Sequence, residues 1–204
     1  MPQLQSTPIA IERLDSSERL DAAFAAGLVE VYRDVFAESP SCHDSPLERI
    51  QRMWQQHYES DSKILIAKDL GKAIAFAATV PFPRAYLNGT TAVTDGGETV
   101  TIDEKLCGDR LGIDPFHACY LADIGTHPAY RVRGIATALW RETLCWLPED
   151  SPIVLRVTQA KQNAVRLYQS WGFELVGLSQ YPQYKKINGY LEIEPKHVMV
   201  YYRK

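Results

Sequence analysis

Residues 131–137 read RVRGIAT, and a predicted helix begins within this stretch, from which the fold of the chain can be inferred. Apolar residues recur at helical spacing from the end of this stretch to Leu147. The helix start contains Arg131, Arg133 and Gly134, with no Ser, Thr, Asp or Asn immediately ahead to cap its first N–H groups. An uncapped helix start carries free donors and a partial positive charge, and Gly134 allows close approach of an oxygen. The stretch therefore predicts a phosphate or pyrophosphate site.

Outward from this helix, the second half of the chain alternates strands with helices, and the first half reads strand, two helices and hairpin. The long connection at about 81–117 contains a second, smaller hairpin pattern. We predict a single mixed α/β domain over residues 1–204, with 81–117 as an insert. The predicted strands cover 8–14, two runs within 63–80, 118–126, 152–158, 173–181 and 196–204, and the predicted helices cover 16–37, 45–59, 134–147 and 162–171.

Composition limits the classes of partner. The chain has 204 residues, of which 46% are hydrophobic and 23% charged, and its formal net charge is −3. This balance predicts a globular protein with no general attraction for nucleic acid or for an anionic membrane. The four cysteines have no CxxC spacing and no zinc-like partnership with histidine, so we expect no metal and a reducing, cytoplasmic location. Neither a signal peptide nor a membrane-spanning run is predicted.

Two motifs connect the uncapped helix to a known family. P-loop and dinucleotide-binding patterns are absent, and 131–136 follow the pattern R-x-x-G-x-A. This resembles motif A of the GNAT superfamily of N-acetyltransferases. Residues 163–174, NAVRLYQSWGFE, resemble the family's later A-x-x-L-Y-x-x-x-G-F signature, in the right order. The resemblance implies a GNAT-like fold, in which helices flank a central, mostly antiparallel twisted sheet with one splayed strand pair.

The resemblance also implies the cosubstrate, acetyl-CoA, and where it binds. Backbone groups of Ile124 and Thr126 would pair with the pantetheine arm, and the loop and helix start would hold the pyrophosphate. Lys161 stands where the family often has Asn, which puts the role of nearby Asn163 in doubt. The residues implied to bind the cosubstrate are Ile124, Thr126, Arg131, Val132, Arg133, Gly134, Ile135, Ala136, Thr137 and Asn163.

Tyr168 and Asp123 are the candidate catalytic residues. With acetyl-CoA as donor, an amine attacks the thioester directly, and the leaving thiolate needs a proton that the phenol of Tyr168 can donate. Asp123 would accept the amine's proton or attract an ammonium group, and His127 is the next candidate base. The alternative interpretations are that Tyr168 is a core residue, that Asp123 is a structural carboxylate and that His127 is an exposed turn residue.

Gly125 lies inside the strand that carries Asp123. A glycine there predicts a bulge or a close approach of another backbone, and the alternative is a glycine packed under a side chain. If the strand alternates regularly, Asp123 shares a face with Leu121 and Gly125, so desolvation would raise the pKa of Asp123.

The acceptor is predicted only as a primary amine on a small molecule or a peptide. Two alternatives to an acyltransferase are a catalytically silent acyl-CoA-binding regulatory module and an unrelated nucleotide-binding protein. A homodimer stays open. Aromatic side chains that could line the acceptor pocket are Phe82, Tyr86, Tyr181, Tyr184 and Tyr190.

Overall fold

In a computed structural model, the structure describes residues 9–82 and 89–203. Eleven strands and six helices are present among the described residues, together with short π-helical and 3₁₀ segments. The strands are β1 Ala10–Arg13, β2 Lys63–Asp69, β3 Lys72–Pro81, β4 Thr91–Thr94, β5 Thr99–Thr101, β6 Cys119–Thr126, β7 Ile153–Thr158, β8 Glu174–Gln180, β9 Gln183–Lys185, β10 Leu191–Ile193 and β11 Lys196–Tyr201. The helices are α1 Ser17–Ala25, α2 Leu28–Ala37, α3 Leu47–Glu59, α4 Glu104–Leu106, α5 Ile135–Trp146 and α6 Gln162–Ser170.

Nine of these strands form one sheet in the order β1-β2-β3-β6-β7-β11-β8-β4-β5, and β9 pairs with β10 separately. Every adjacent pair in the large sheet is antiparallel except β6 and β7, which are parallel. The prediction of a mixed α/β fold with a mostly antiparallel sheet is confirmed. The parallel pair in its centre is the structural basis of the site described below.

The two faces of the sheet are covered by different helices. Ile64 and Ile66 of β2 pack in one apolar cluster with buried residues of α1, α2 and α3. Leu65 and Ala67 point the other way, into a cluster with Ile135 of α5. Because successive strand residues face opposite sides, the unbroken apolar run of β2 serves two cores at once.

The predicted single helix over 16–37 is wrong, because the structure divides it into α1 and α2. Gly27 lies between them with a φ of +92°, a left-handed conformation that glycine adopts without strain. The break redirects the chain so that α2 crosses both β3 and β6. Apolar periodicity on both sides of the glycine conceals the break in the sequence.

The connection at 81–117 extends the sheet. Its predicted hairpin is confirmed as β4 and β5, and β4 pairs with β8 through Val93 and Ser179. Residues 83–88 of this connection, and the first residues of the predicted strand 8–14, lie outside the described residues. Within the described ranges, no helix is long and apolar enough to span a membrane.

Candidate active site

The site begins where β6 and β7 diverge. They pair from Cys119 to Leu121 only, whereas β3 pairs with β6 along its length to Thr126. From Ala122 onward, β6 therefore has no strand on its β7 side. This is the splayed pair that the sequence resemblance implies.

The open edge presents the backbone groups of two predicted residues. The N–H of His127 donates to the carbonyl of Ile74 on β3, at 2.8 Å. Backbone groups of neighbouring strand residues point to opposite edges, so those of Ile124 and Thr126 point away from β3. Both residues line the large cavity that fills the gap between the strands.

This cavity has a volume of about 640 Å³. Its walls are the open part of β6, the loop before α5, the first turn of α5, one face of α6 with the residues just before it, and the segment that follows α2. The structure thus brings together residues from four separate segments of the chain. Predicted site residues that line it are Ile124, Thr126, Arg131, Val132, Gly134, Ile135, Ala136, Thr137, Asn163 and Tyr168.

The start of α5 is uncapped, as the sequence indicates. Gly134 occupies the N-cap position with a φ of +76°, and no side chain accepts a hydrogen bond from the first turn. A Cβ built on Gly134 would meet no atom within 4 Å, so the space in front of the helix is open. Val132 also has a positive φ, +63°, which costs energy for a β-branched residue and indicates a loop held by its surroundings.

The two arginines of this loop have different environments. Arg131 lines the cavity, where its guanidinium forms an ion pair with Glu38 (2.5 Å) and donates to the Thr126 carbonyl (3.2 Å). The guanidinium of Arg133 lies over the ring of Tyr130, 5.1 Å from its centroid, and this residue does not line the cavity. One of the two arginine charges therefore faces the space where the sequence places a pyrophosphate.

Tyr168, on α6, lines the cavity. Its ring is half-buried and packs against Trp171 and Phe173, with centroid distances of 5.5 and 5.9 Å. Burial, and secondarily the negative charge of Asp123, raise the pKa of Tyr168 well above its ordinary value. Like any phenol, Tyr168 is protonated at neutral pH and so holds a proton that it can donate.

Asp123 lies on the opposite side of β6 from α5. Its carboxylate accepts a hydrogen bond from the Tyr32 hydroxyl at 3.1 Å, and Nε2 of His57 lies 3.4 Å away. Its side chain is only 12% exposed and does not line the 640 Å³ cavity. Asp123 influences the site through its negative charge, which contributes to the raised pKa of Tyr168.

The predicted geometry around Gly125 needs correction. Gly125 pairs regularly with Phe76, and the irregularity of β6 lies at Ala122, between the pairs Leu121–Thr79 and Asp123–Ala78. This extra residue moves Leu121 to the opposite face, where it packs with α5 and α6 residues, so the predicted shared face is wrong. Gly125 is instead packed under side chains, because a Cβ there would lie 2.6 Å from the Phe76 ring and 2.8 Å from Val35.

Sequence analysis missed the two partners of Asp123. Tyr32 and His57 belong to α2 and α3, where they look like ordinary members of amphipathic helices. Burial, and secondarily the charge of Asp123, hold the pKa of Tyr32 well above its usual range. His127, the alternative base, lies farther out and makes a 3.9 Å contact with Asp34.

A second polar group lies beyond the segment that follows α2, and we call it the ion cluster: His43, Thr158, Lys186 and Glu194. The Glu194 carboxylate lies 2.6 Å from His43 Nε2 and 2.9 Å from Lys186 Nζ, and the Thr158 hydroxyl donates to it. Burial alone would raise the pKa of Glu194, but these hydrogen bonds and the charge of Lys196 outweigh it, so the pKa lies well below its usual range. The cluster joins the segment after α2 to β7 and to the β9–β10 hairpin.

The aromatic residues proposed for an acceptor pocket do not form one group. Phe82 is fully buried in the core beneath β4, and Tyr181 and Tyr190 are exposed. Tyr184 stacks on His43 of the ion cluster, at 4.2 Å between ring centroids. Tyr86 lies outside the described residues.

Among the described residues, no three His, Cys, Asp or Glu side chains are placed to hold a metal ion. The open strand edge, the uncapped helix start and the buried phenol face one cavity. Together they define a protein that can hold an extended ligand with an anionic group and donate a proton to it.

Comparison with known proteins identifies the family. The model of the Acetyltransferase (GNAT) family matches residues 28–173, so the chain belongs to this family. Membership makes acetyl transfer its activity in general terms and supports acetyl-CoA as its cosubstrate.

Individual relatives agree with this assignment. The chain is 29% identical to the N-alpha-acetyltransferase RimI of Mycobacterium tuberculosis over 135 residues, which cover 66% of this chain and 80% of that protein. The ribosomal-protein-S18-alanine N-acetyltransferase from Escherichia coli has a TM-score of 0.61 at 17% identity and covers 97% of this chain and 95% of its own. Arabidopsis thaliana NAA60 in complex with acetyl-CoA has a TM-score of 0.56 at 17% identity, with coverages of 96% and 98%. These two structures share the fold.

Proposed function

We propose that this chain transfers the acetyl group of acetyl-CoA to a primary amine on a small molecule or a peptide, by direct attack of the amine. The observation that carries the proposal is that Tyr168 lines the same cavity as the open edge of β6 and the uncapped start of α5. One ligand in that cavity reaches all three features.

The walls of the cavity fit acetyl-CoA. The backbone groups of Ile124 and the N–H of Thr126 suit the amides of a pantetheine arm, which would extend the sheet at its open edge. The Thr126 carbonyl accepts from Arg131. The N–H groups at the start of α5 and the Arg131 guanidinium suit a pyrophosphate, and Gly134 leaves room for its oxygens. Bound there, acetyl-CoA supplies an acetyl group activated as a thioester.

Two residues of the chain carry out the proton transfers of the proposed reaction. Tyr168, kept neutral by burial, donates its phenolic proton to the leaving thiolate. Asp123, held by Tyr32 and His57, receives the proton that the amine must lose. The acid and the base lie on different elements, α6 and β6, and since Asp123 does not line the cavity, the amine's proton would reach it through water.

The similarity to a protein named N-alpha-acetyltransferase makes a peptide α-amine the first acceptor to examine. We also propose that residues 1–204 form one domain, because nine strands form one continuous sheet with β1 and β5 at its two edges.

The test measures thiol release from acetyl-CoA with peptides that have free N-termini and with small primary amines. In Tyr168→Phe the ring packing is kept and the proton is lost, so kcat should fall about 10²-fold or more while acetyl-CoA affinity is unchanged. Tyr202→Phe is the matched control, because the Tyr202 hydroxyl donates to the Leu111 carbonyl outside the cavity. Binding of acetyl-CoA without turnover of any acceptor would instead indicate the catalytically silent module.

A further inference from the structure

The segment between β7 and α6 carries a lysine inside the proposed cosubstrate cavity. Lys161 precedes the first turn of α6, and it is the one lysine among the described residues that line the cavity. It is half-buried, and its Nζ lies 5.2 Å from the centroid of the Phe36 ring. The same cavity contains Tyr168, the proposed proton donor.

Among the described residues, the ammonium group of Lys161 has no anionic partner at ion-pair distance. Within residues 9–82 and 89–203, its side chain makes no hydrogen bond or ion pair, whereas neighbouring Arg131 pairs with Glu38 and Lys186 pairs with Glu194. An aromatic face compensates a buried cation only weakly in comparison with a carboxylate. Burial without an anionic partner therefore disfavours the charged form in comparison with an exposed lysine.

On balance, the charges around Lys161 lower its pKa. Burial, and then the positive charges of Lys196, Arg131 and Lys186, lower the pKa of Lys161, and only the charge of Glu194 opposes them. A lower pKa raises the fraction of neutral amine at pH 7, and the neutral amine is the nucleophile. An arginine at this position would remain charged.

We propose that Lys161 is a self-acetylation site, on which the protein places the acetyl group of its own bound acetyl-CoA. The inference rests on the proposed function, since it needs acetyl-CoA in this cavity. The lone pair of Lys161 Nζ forms the new N–C bond to the thioester carbonyl, and the C–S bond breaks. Nζ loses one proton to water, and the thiolate gains one from Tyr168, which is reprotonated by water.

A second reading of Lys161 is that its ammonium holds an oxygen of the cosubstrate, without being modified. That role needs the charged form, which burial and the three neighbouring cations disfavour. The two readings differ in a direct observable, the covalent state of Nζ.

The experiment incubates the purified protein with acetyl-CoA and no acceptor, and follows each lysine by peptide mass spectrometry. Lys72, which is exposed on β3, reports acetylation by free acetyl-CoA. Because Lys161 would share the cavity with the bound thioester, whereas Lys72 meets acetyl-CoA only from solution, Lys161 should be acetylated at least about tenfold faster than Lys72. In Gly134→Asn, acetylation of Lys161 should fall with acetyl-CoA occupancy, while that of Lys72 stays the same.

Calorimetry of acetyl-CoA binding on the same samples separates the possible failures. If acetyl-CoA binds and Lys161 is modified no faster than Lys72, the self-acetylation site is refuted and the proposed function stands. If acetyl-CoA does not bind, the proposed function fails and the inference fails with it. Lys161→Arg, which keeps a cation in the cavity, should lose this modification and still bind acetyl-CoA.

Discussion

The two walls of the cavity differ in how they are built. One wall comes from β6, the loop after it and α5, which form one nearly continuous piece of chain from Ile124 to Thr137. Another wall, Glu38 to Pro40, is held by the ion cluster, in which His43 lies more than a hundred residues from Thr158, Lys186 and Glu194. The first wall offers mainly backbone groups, and the second depends on buried side chains. Local sequence therefore determines the first wall, and long-range packing determines the second.

The largest effect that we expect concerns the second wall. Glu194→Gln removes the anion between His43 and Lys186 and leaves a buried cation without its partner. Loss of one partner of a buried ion pair costs about 3–5 kcal/mol, and we expect the free energy of unfolding at pH 7 to fall by that order. Denaturant titration measures it.

Lowering the pH should remove the stabilisation that Glu194 gives to the unmodified protein. The folded-state pKa of Glu194 is depressed, so its stabilisation is fully present above the unfolded pKa of about 4.3 and is lost as pH falls below it. The difference between the unmodified protein and Glu194→Gln should therefore shrink in acid. Glu192→Gln, on the same hairpin but exposed, is the control, and an equal loss there would contradict the role of the cluster.

An intermediate effect is expected for Asp123, whose carboxylate faces α2 and α3 and does not line the cavity. Asp123→Asn keeps the size of the side chain and removes the base, so kcat at neutral pH should fall at least about tenfold. The rise of the pH–rate profile should move upward, toward the pKa of the free amine. A higher KM with an unchanged profile would instead identify Asp123 as an attractor of ammonium, and no change in either would leave it a structural carboxylate.

The smallest effect tests the first wall. Gly134→Asn keeps a residue that tolerates a positive φ and adds a side chain where the pyrophosphate is proposed to lie. Acetyl-CoA binding should weaken about tenfold, or about 1.4 kcal/mol, by calorimetry. Gly71→Asn is matched to it, since Gly71 has a φ of +78° and also no atom within 4 Å of a built Cβ. Equal affinity in the two variants would show that the anion does not lie at Gly134.

Features that depend on residues close together in the chain were predictable from the sequence, and features that depend on distant residues were not. The uncapped start of α5 and the placement of Tyr168 on α6 were predictable, since each depends on a few consecutive residues. The break at Gly27 was not, because apolar spacing continues on both sides of it. The partners of Asp123 were not predictable either, because Tyr32 lies 91 residues away in the chain.

By itself, the sequence determined the family, the α/β class and the uncapped start of α5, because local motifs carry this information in backbone geometry and helix capping. Only the tertiary structure decided which side chains face the reaction. The extra residue at Ala122 reverses the alternation of β6, so it separates Asp123 from Leu121 and turns the carboxylate toward α2 and α3. A one-residue irregularity exchanges the faces of a strand, and no residue type in the sequence marks its position.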